Sequence, residues 1–100
     1  MKTITSEEVK ARLDKGEKLN LVDVREPFEN AAFNIGGILL PVGKVHAMEI
    51  EEIEDLKNEE VILYCRSGKR SGDAALILEA AGFANAKNLI GGMMEWQAKY

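Results

Sequence analysis

Cysteine is nearly absent from this chain: Cys65 is the only one in 100 residues. That excludes an internal disulfide and a Cys-rich zinc site, and a lone free thiol fits a reducing compartment. Histidine is equally scarce. His46, the only one, lies in a different segment from Cys65, so no Cys-His dyad is written into the chain. Without clustered His and Cys, or carboxylates at ligand spacing, no metal site is expected, and no cofactor either. Basic residues are outnumbered, 13 Lys and Arg against 17 Asp and Glu, for a formal net charge of -4. A general nucleic-acid binder needs a basic face to neutralise phosphate, so that class of partner is not expected. Nowhere do about eighteen apolar residues run together, and the start Met1-Lys2-Thr3-Ile4-Thr5-Ser6 lacks an apolar run of signal-peptide length. The expectation is a cytoplasmic protein with no membrane contact. Repeats, linkers and low-complexity stretches are missing too, which leaves one domain, residues 1–100. Oligomeric state leaves no mark on the sequence.

What is present alternates between apolar runs and helical patterns. Thr5-Ser6-Glu7-Glu8 is a capping box, followed by Val9 and Leu13 at i, i+4 spacing and then Gly16, so a short helix ends near Lys15. Leu19 to Val24 reads as a strand, and Pro27 opens a short helix through about Phe33. Gly36-Gly37 breaks the chain, and Ile38-Leu39-Leu40 is an apolar run fit for a central strand that Pro41 and Gly43 end. Between Glu49 and Glu60 stand seven acidic residues against Lys57 alone, with Ile50, Ile53 and Leu56 on one helical stripe. A helix with a solvated acidic face is the reading there.

Val61-Ile62-Leu63-Tyr64 is a continuous apolar run, as expected of a strand covered on both faces in a parallel sheet. A helix rich in Ala and Leu runs to Gly82, Lys87 to Ile90 is one more strand, and Met93 to Tyr100 a last helix whose Met94 and Trp96 pack on the body. The fold class is therefore α/β, a three-layer domain with a mainly parallel sheet flanked by helices. Ligands bind at the carboxyl ends of strands in such sheets. Cys65 and the Asp23-Val24-Arg25 segment both fall at that edge.

Between the buried run and the helix lies Cys65-Arg66-Ser67-Gly68-Lys69-Arg70. A strand-to-helix loop aims successive backbone N–H groups and the positive end of the helix dipole into its concavity, which favours an anion. A thiolate there is stabilised, and the field of Arg66, Lys69 and Arg70 is expected to lower the Cys65 pKa further. A thiol of that kind needs no adjacent base to act as a nucleophile. Four residues intervene between Cys65 and Arg70, with Ser71 next. Phosphatases with a cysteine in a comparable loop need one residue more to surround a tetrahedral oxyanion, so the smaller ring suits a single sulfur atom better.

The chain resembles the single-domain rhodanese-like sulfurtransferases. The resemblance is carried by Leu21-Val22-Asp23-Val24-Arg25-Glu26-Pro27-Phe28-Glu29, by Ile35 through Pro41, by Cys65 through Ser71, by Gly82-Phe83, and by Gly91-Gly92-Met93-Met94-Glu95-Trp96. It implies a rhodanese-like fold and a sulfur-transfer cycle. In that cycle Cys65 takes a sulfane sulfur from a small anionic donor such as thiosulfate, holds it as a persulfide, and passes it to cyanide, a cellular thiol or a carrier protein. Backbone N–H groups from Arg66, Ser67, Gly68, Lys69, Arg70 and Ser71 would cradle the persulfide, with Arg66 and Lys69 attracting the donor. Arg70 is expected to fix the cradle through loop or neighbouring carbonyls, and Asp23 and Arg25 to be a structural pair near the site rather than catalysts. Where relatives commonly carry Gly-His, this chain has Phe33-Asn34, so an altered turn and a missing hydrogen bond are expected at that point.

Two other functions compete. A non-catalytic rhodanese-like module that binds a partner or senses redox state would form the persulfide without turning it over. A cysteine-loop phosphatase or arsenate reductase would use the same thiol on an oxyanion. His46 reads as a surface or partly buried side chain, and Met93, Met94 and Trp96 as core or rim packing.

Overall fold

The computed structural model describes residues 1–100. Five strands form one sheet: β1 (Lys2–Ile4), β2 (Leu21–Asp23), β3 (Ile38–Leu39), β4 (Glu60–Tyr64) and β5 (Asn85–Leu89). Their order is β1-β5-β4-β2-β3, and every neighbouring pair is parallel. Five helices connect them: α1 (Ser6–Asp14), α2 (Pro27–Ala32), α3 (Val42–His46), α4 (Lys69–Ala80) and α5 (Gly92–Lys99), with a 3-10 segment at Glu51–Leu56.

Strand β4 sits in the middle because both of its faces are apolar. Val61 and Leu63, continuing to Cys65, pack into a cluster with Val45, Ile50, Ile53, Ala74, Ala75, Leu78 and Phe83, on the side of α3 and α4. Ile62 and Tyr64 point the other way, into a cluster with Val9, Met93 and Trp96 from α1 and α5. Residues of alternate parity feeding two cores is what a strand's twofold side-chain period requires of a sheet covered on both sides. The three-layer α/β architecture read from the sequence is the one observed.

Several local expectations need correction. The run at Ile38 forms the edge strand β3, not a central one, with both residues only half-buried. Pro41 does not merely end it. A fixed φ and a missing N–H suit a helix start, and Pro41 caps α3, which also contains Gly43. The acidic segment is a six-residue 3-10 turn rather than a helix from Glu49 to Glu60, and Glu60 is the first residue of β4. Strand β2 is shorter than Leu19 to Val24, and β5 begins earlier than Lys87 and ends at Leu89. Strand β1 gave no signal because only Ile4 of its three residues is buried. Met94 is 53% exposed, so of the Met94 and Trp96 packing only Trp96, with Met93 beside it, holds the body.

The chain order reverses between β2 and β4: β3 continues outward from β2, and β5 and β1 lie beyond β4. The carboxyl ends of β2 and β4 therefore flank a topological switch point, where parallel sheets open a crevice.

Candidate active site

The loop after β4 wraps the sulfur of Cys65. Gly68 N–H donates to Sγ at 3.1 Å, Ser71 N–H at 3.4 Å, and the Ser71 hydroxyl oxygen lies 3.3 Å away. Gly68 makes the turn possible, with φ at +97° immediately before α4.

The N–H groups can face inward because the carbonyls are held outward. Met93 N–H donates to the Cys65 carbonyl and Met94 N–H to the Arg66 carbonyl, both at 2.9 Å. The Gly68 carbonyl accepts from Asn88 Nδ2 and from Gly72 N–H, each at 3.0 Å. Helix α5 thus spends its first free amides on the loop. Gly92 permits this approach: a Cβ there would lie 2.5 Å from the Cys65 carbonyl oxygen and 2.6 Å from that of Arg66.

Burial pushes the Cys65 thiol up, since the residue is only 1% exposed. The Ser71 hydroxyl and the amides of Ser71, Gly68 and Ser67 outweigh that cost and bring it below its ordinary value. These neutral donors, rather than the loop cations the sequence suggested, are the chief stabilisers of the thiolate. Arg70 is the cation that senses the sulfur's charge, but it is chiefly engaged elsewhere. Its guanidinium binds the Glu29 carboxylate of α2 in a two-pronged pair at 2.8 and 2.9 Å, holding Glu29 at about 2. The expected bonds from Arg70 to carbonyls are replaced by this ion pair. Arg66 and Lys69 are exposed and belong to none of the ion pairs in the structure.

At the end of β2, Asp23 and Arg25 are both buried and bound to each other. Arg25 Nε and Nη2 donate to the two Asp23 oxygens at 2.9 Å each, and Arg25 N–H adds a third bond at 3.0 Å. Asn30 Nδ2 donates to the same carboxylate at 3.0 Å, and Arg25 Nη2 reaches the Phe33 carbonyl. Phe33 has φ at -165°, extended backbone that any residue adopts, so no glycine is required there. Asn34 closes the following turn itself, accepting from Gly36 N–H and donating to the Asn30 carbonyl, both at 2.9 Å. The expected disturbance at Phe33-Asn34 is absorbed locally. His46 is exposed on α3.

The family model of the rhodanese-like domain matches residues 5–99. The chain belongs to the rhodanese-like domain family. A sulfurtransferase of Allochromatium vinosum is 39% identical over 94 residues, which are 93% of this chain and 85% of that protein. A probable adenylyltransferase/sulfurtransferase, MoeZ, of Mycobacterium tuberculosis is 36% identical over 96 residues; that match takes in 94% of this chain but only 24% of MoeZ. The chain thus spans about a quarter of the length of that larger relative. The crystal structure of a rhodanese-like domain protein from Staphylococcus aureus superposes with a TM-score of 0.83 at 33% identity, covering 96% of this chain and 91% of that one.

Beside the loop of this rhodanese-like domain opens a cleft of about 390 Å³, bounded by Arg25, Glu29 and Arg66 and by the apolar Phe28, Phe33 and Met94. Cys65 itself is not in its wall; Arg66 is the point at which loop and cleft meet. Phe28, 75% exposed, and Met94 give the cleft an apolar rim. Sequence reasoning singled out neither Asn88 nor Glu29 as site residues. Asn88, a polar residue in the last positions of a strand that precedes Gly91-Gly92, is a signal that was available.

Proposed function

We propose that this protein is a sulfurtransferase that carries sulfane sulfur on Cys65, with thiosulfate as a competent donor. The observation that carries the reading is the ring around Cys65 Sγ, where Gly68 N–H and Ser71 N–H donate and the Ser71 hydroxyl lies 3.3 Å away, in a loop whose carbonyls at Cys65, Arg66 and Gly68 are all tied outward. Such a ring stabilises an anionic sulfur without a covalent or ionic partner that would quench it.

In the first half-reaction the Cys65 thiolate attacks the outer sulfur of thiosulfate. The S–S bond of the donor breaks, sulfite leaves with the bonding pair, and Cys65 becomes a persulfide with its charge on the terminal sulfur. In the second, a cyanide or thiolate acceptor attacks that terminal sulfur, and Cys65 leaves as thiolate. Arg66 and Lys69, free of carboxylate partners, attract the anionic donor. Lys69 and Arg70 occupy the first two positions of α4, where amides have no intrahelical acceptor and are available to the terminal sulfur. Ser67, Gly68 and Ser71 hold the inner one. The Arg70–Glu29 and Arg25–Asp23 pairs fix α2 and β2 around the loop and take no part in bond making. The sulfurtransferase names of relatives support the same reaction class. The proposed setting is the cytoplasm, where a free thiol stays reduced, and the proposed acceptors include a cellular thiol or a carrier protein.

The loop's length weighs against a phosphatase or arsenate reductase, as four residues between Cys65 and Arg70 make a small ring. The test is intact mass after incubation with thiosulfate. Wild type gains the mass of one sulfur atom and loses it to cyanide with release of thiocyanate, and Cys65→Ala does neither. A protein that gains no sulfur, yet hydrolyses an aryl phosphate in a Cys65-dependent way, would overturn the proposal. Persulfide formation with no transfer to any acceptor would assign the chain to the non-catalytic class.

A further inference from the structure

The fully buried Ser71 hydroxyl stands between two acceptors and has one proton to give. Its oxygen is 2.6 Å from Asn88 Oδ1 and 3.3 Å from Cys65 Sγ. The orientation of the Asn88 amide is fixed by its other end, 3.0 Å from the Gly68 carbonyl. A carbonyl cannot donate, so the NH2 group must face Gly68 and the oxygen must face Ser71. Ser71 is therefore the donor in the shorter contact, and its lone pairs face the sulfur.

That arrangement suits a protonated thiol, whose S–H can donate to the Ser71 oxygen while the Ser71 hydroxyl donates to Asn88. It does not suit a thiolate, which needs the hydroxyl proton for itself. We propose that Asn88 is a positioning residue that holds the Ser71 proton away from the Cys65 sulfur until that sulfur is charged, and takes it back when the sulfur becomes the neutral inner atom of a persulfide. The hydroxyl turns toward the thiolate at the loss of its bond to Asn88, so the thiolate is stabilised by less than the full strength of a buried hydroxyl donor. After sulfur loading the inner sulfur no longer claims the proton, and the Ser71–Asn88 bond re-forms. Asn88 thereby weighs against the free thiolate and in favour of the loaded state. This rests on the role of Cys65 as nucleophile, but the arrangement of donors is a property of the thiol alone.

Other charged groups around the sulfur are Arg66 and Lys69 in its loop, Arg70 with Glu29, and the Asp23–Arg25 pair after β2. On the side of β5 and α5, Lys87 is paired with Glu60, and Glu95 with Lys99. None of these is altered by substitutions at Ser71 or Asn88.

The test is an ultraviolet titration of the Cys65 thiolate in the whole protein, read as the difference from Cys65→Ala and needing no sulfur donor. Asn88→Ala frees the Ser71 proton for the thiolate and leaves the hydroxyl without a partner opposite the thiol, so the midpoint falls by about one pH unit, the scale of one net hydrogen bond. Ser71→Ala removes the donor, and the midpoint rises by about as much. Asn88 acts on the sulfur through Ser71, and the Gly68 carbonyl that it also holds keeps its bond from Gly72 N–H at 3.0 Å, so the double variant titrates with Ser71→Ala. A midpoint that stays or rises in Asn88→Ala, or one that still falls when Asn88→Ala is added to Ser71→Ala, overturns the proposal. Should Asn88→Ala fail to fold, as judged by circular dichroism melting, Asn88→Ser is put through the same comparison with the same outcomes. A protein that passes this titration but acquires no sulfur from thiosulfate refutes the sulfurtransferase reading and leaves the Asn88 assignment standing.

Discussion

Glu60 and Cys65 stand at opposite ends of β4, and both are held ionised more readily than their types usually are, by unlike means. Glu60 is clasped by cations. Arg12 binds both of its oxygens, at 2.6 and 3.0 Å, and Lys87 adds a contact at 2.7 Å; the Arg12 bonds, with help from Lys87, hold the carboxyl at about 2. Cys65 has no ion-pair partner and is surrounded by neutral donors. An ion pair neutralises an anion and ties α1, β4 and β5 together, which is a structural use. A cradle of fixed dipoles lowers the energy of an anion while leaving its charge unneutralised by a counter-ion, which is what a nucleophile needs. At the carboxyl end of β4 backbone amides of the loop meet the anion, and at its amino end cationic side chains do.

The largest way to break the contrast is to damage the cradle without touching any charge. In Gly92→Ala the new methyl lies within 2.6 Å of the Cys65 and Arg66 carbonyl oxygens, at a φ of +55°. Those atoms are backbone and cannot swing aside, so α5 must retreat and the loop carbonyls lose their anchors. The expected cost is about 2–3 kcal/mol of stability, from the left-handed backbone and the clash together. Thiosulfate-dependent sulfur loading should drop at least about tenfold, which corresponds to roughly 1.4 kcal/mol in the barrier. Urea denaturation and single-turnover loading measure the two. Near-wild-type loading in a folded Gly92→Ala would mean that the outward-held carbonyls do not matter.

A smaller effect belongs to the charged end. Glu60 is depressed from 4.5 to about 2, so its ion pairs contribute stability that is complete above the unfolded-state value and is lost as pH falls through the range from 4.5 toward 2. With the Glu60 side chain 22% exposed, screening trims the contribution to about 1 kcal/mol. Glu60→Gln should therefore be less stable than wild type by about that amount at neutral pH, with the gap narrowing as the solution is acidified below 4.5. The Cys65 titration should not move. Chemical denaturation at pH steps reads the first, and thiolate absorbance the second.

The layers were legible in the sequence because Val61 to Tyr64, the capping box at Thr5 and the Pro27 helix start are local signals, carried by the chain's own neighbours rather than by distant ones. Strand β1 was invisible since only Ile4 faces a core, and β3 was misplaced since a short apolar run does not say whether one neighbour or two will pair with it. At the site, the position of Cys65 between strand and helix could be read directly. The source of its stabilisation could not. Cations are visible as letters, whereas the direction of an amide or the hydroxyl of Ser71 depends on Gly68, Asn88 and Gly92 meeting from separate elements. Likewise Arg70 showed its charge in the sequence but not its partner Glu29, which lies 41 residues away.

The smallest effect separates the loop cations from the cradle. If neutral donors hold the thiolate, Arg66→Gln and Lys69→Gln should leave the Cys65 titration midpoint within about 0.3 pH unit of wild type, because exposed charges are screened by water and salt. Both side chains are exposed and unpaired, so their loss acts on the approach of the donor instead. KM for thiosulfate should rise by about threefold in each at low salt, with the difference from wild type shrinking toward about 1 M salt, where the screening length falls to roughly 3 Å. Chloride-dependent kinetics on wild type and both variants, set beside their thiolate titrations, read the two quantities separately. A midpoint that rises by a full unit in either variant would put Cys65 in the same class as Glu60, an anion held by cations, and the distinction between the two ends of β4 would be gone.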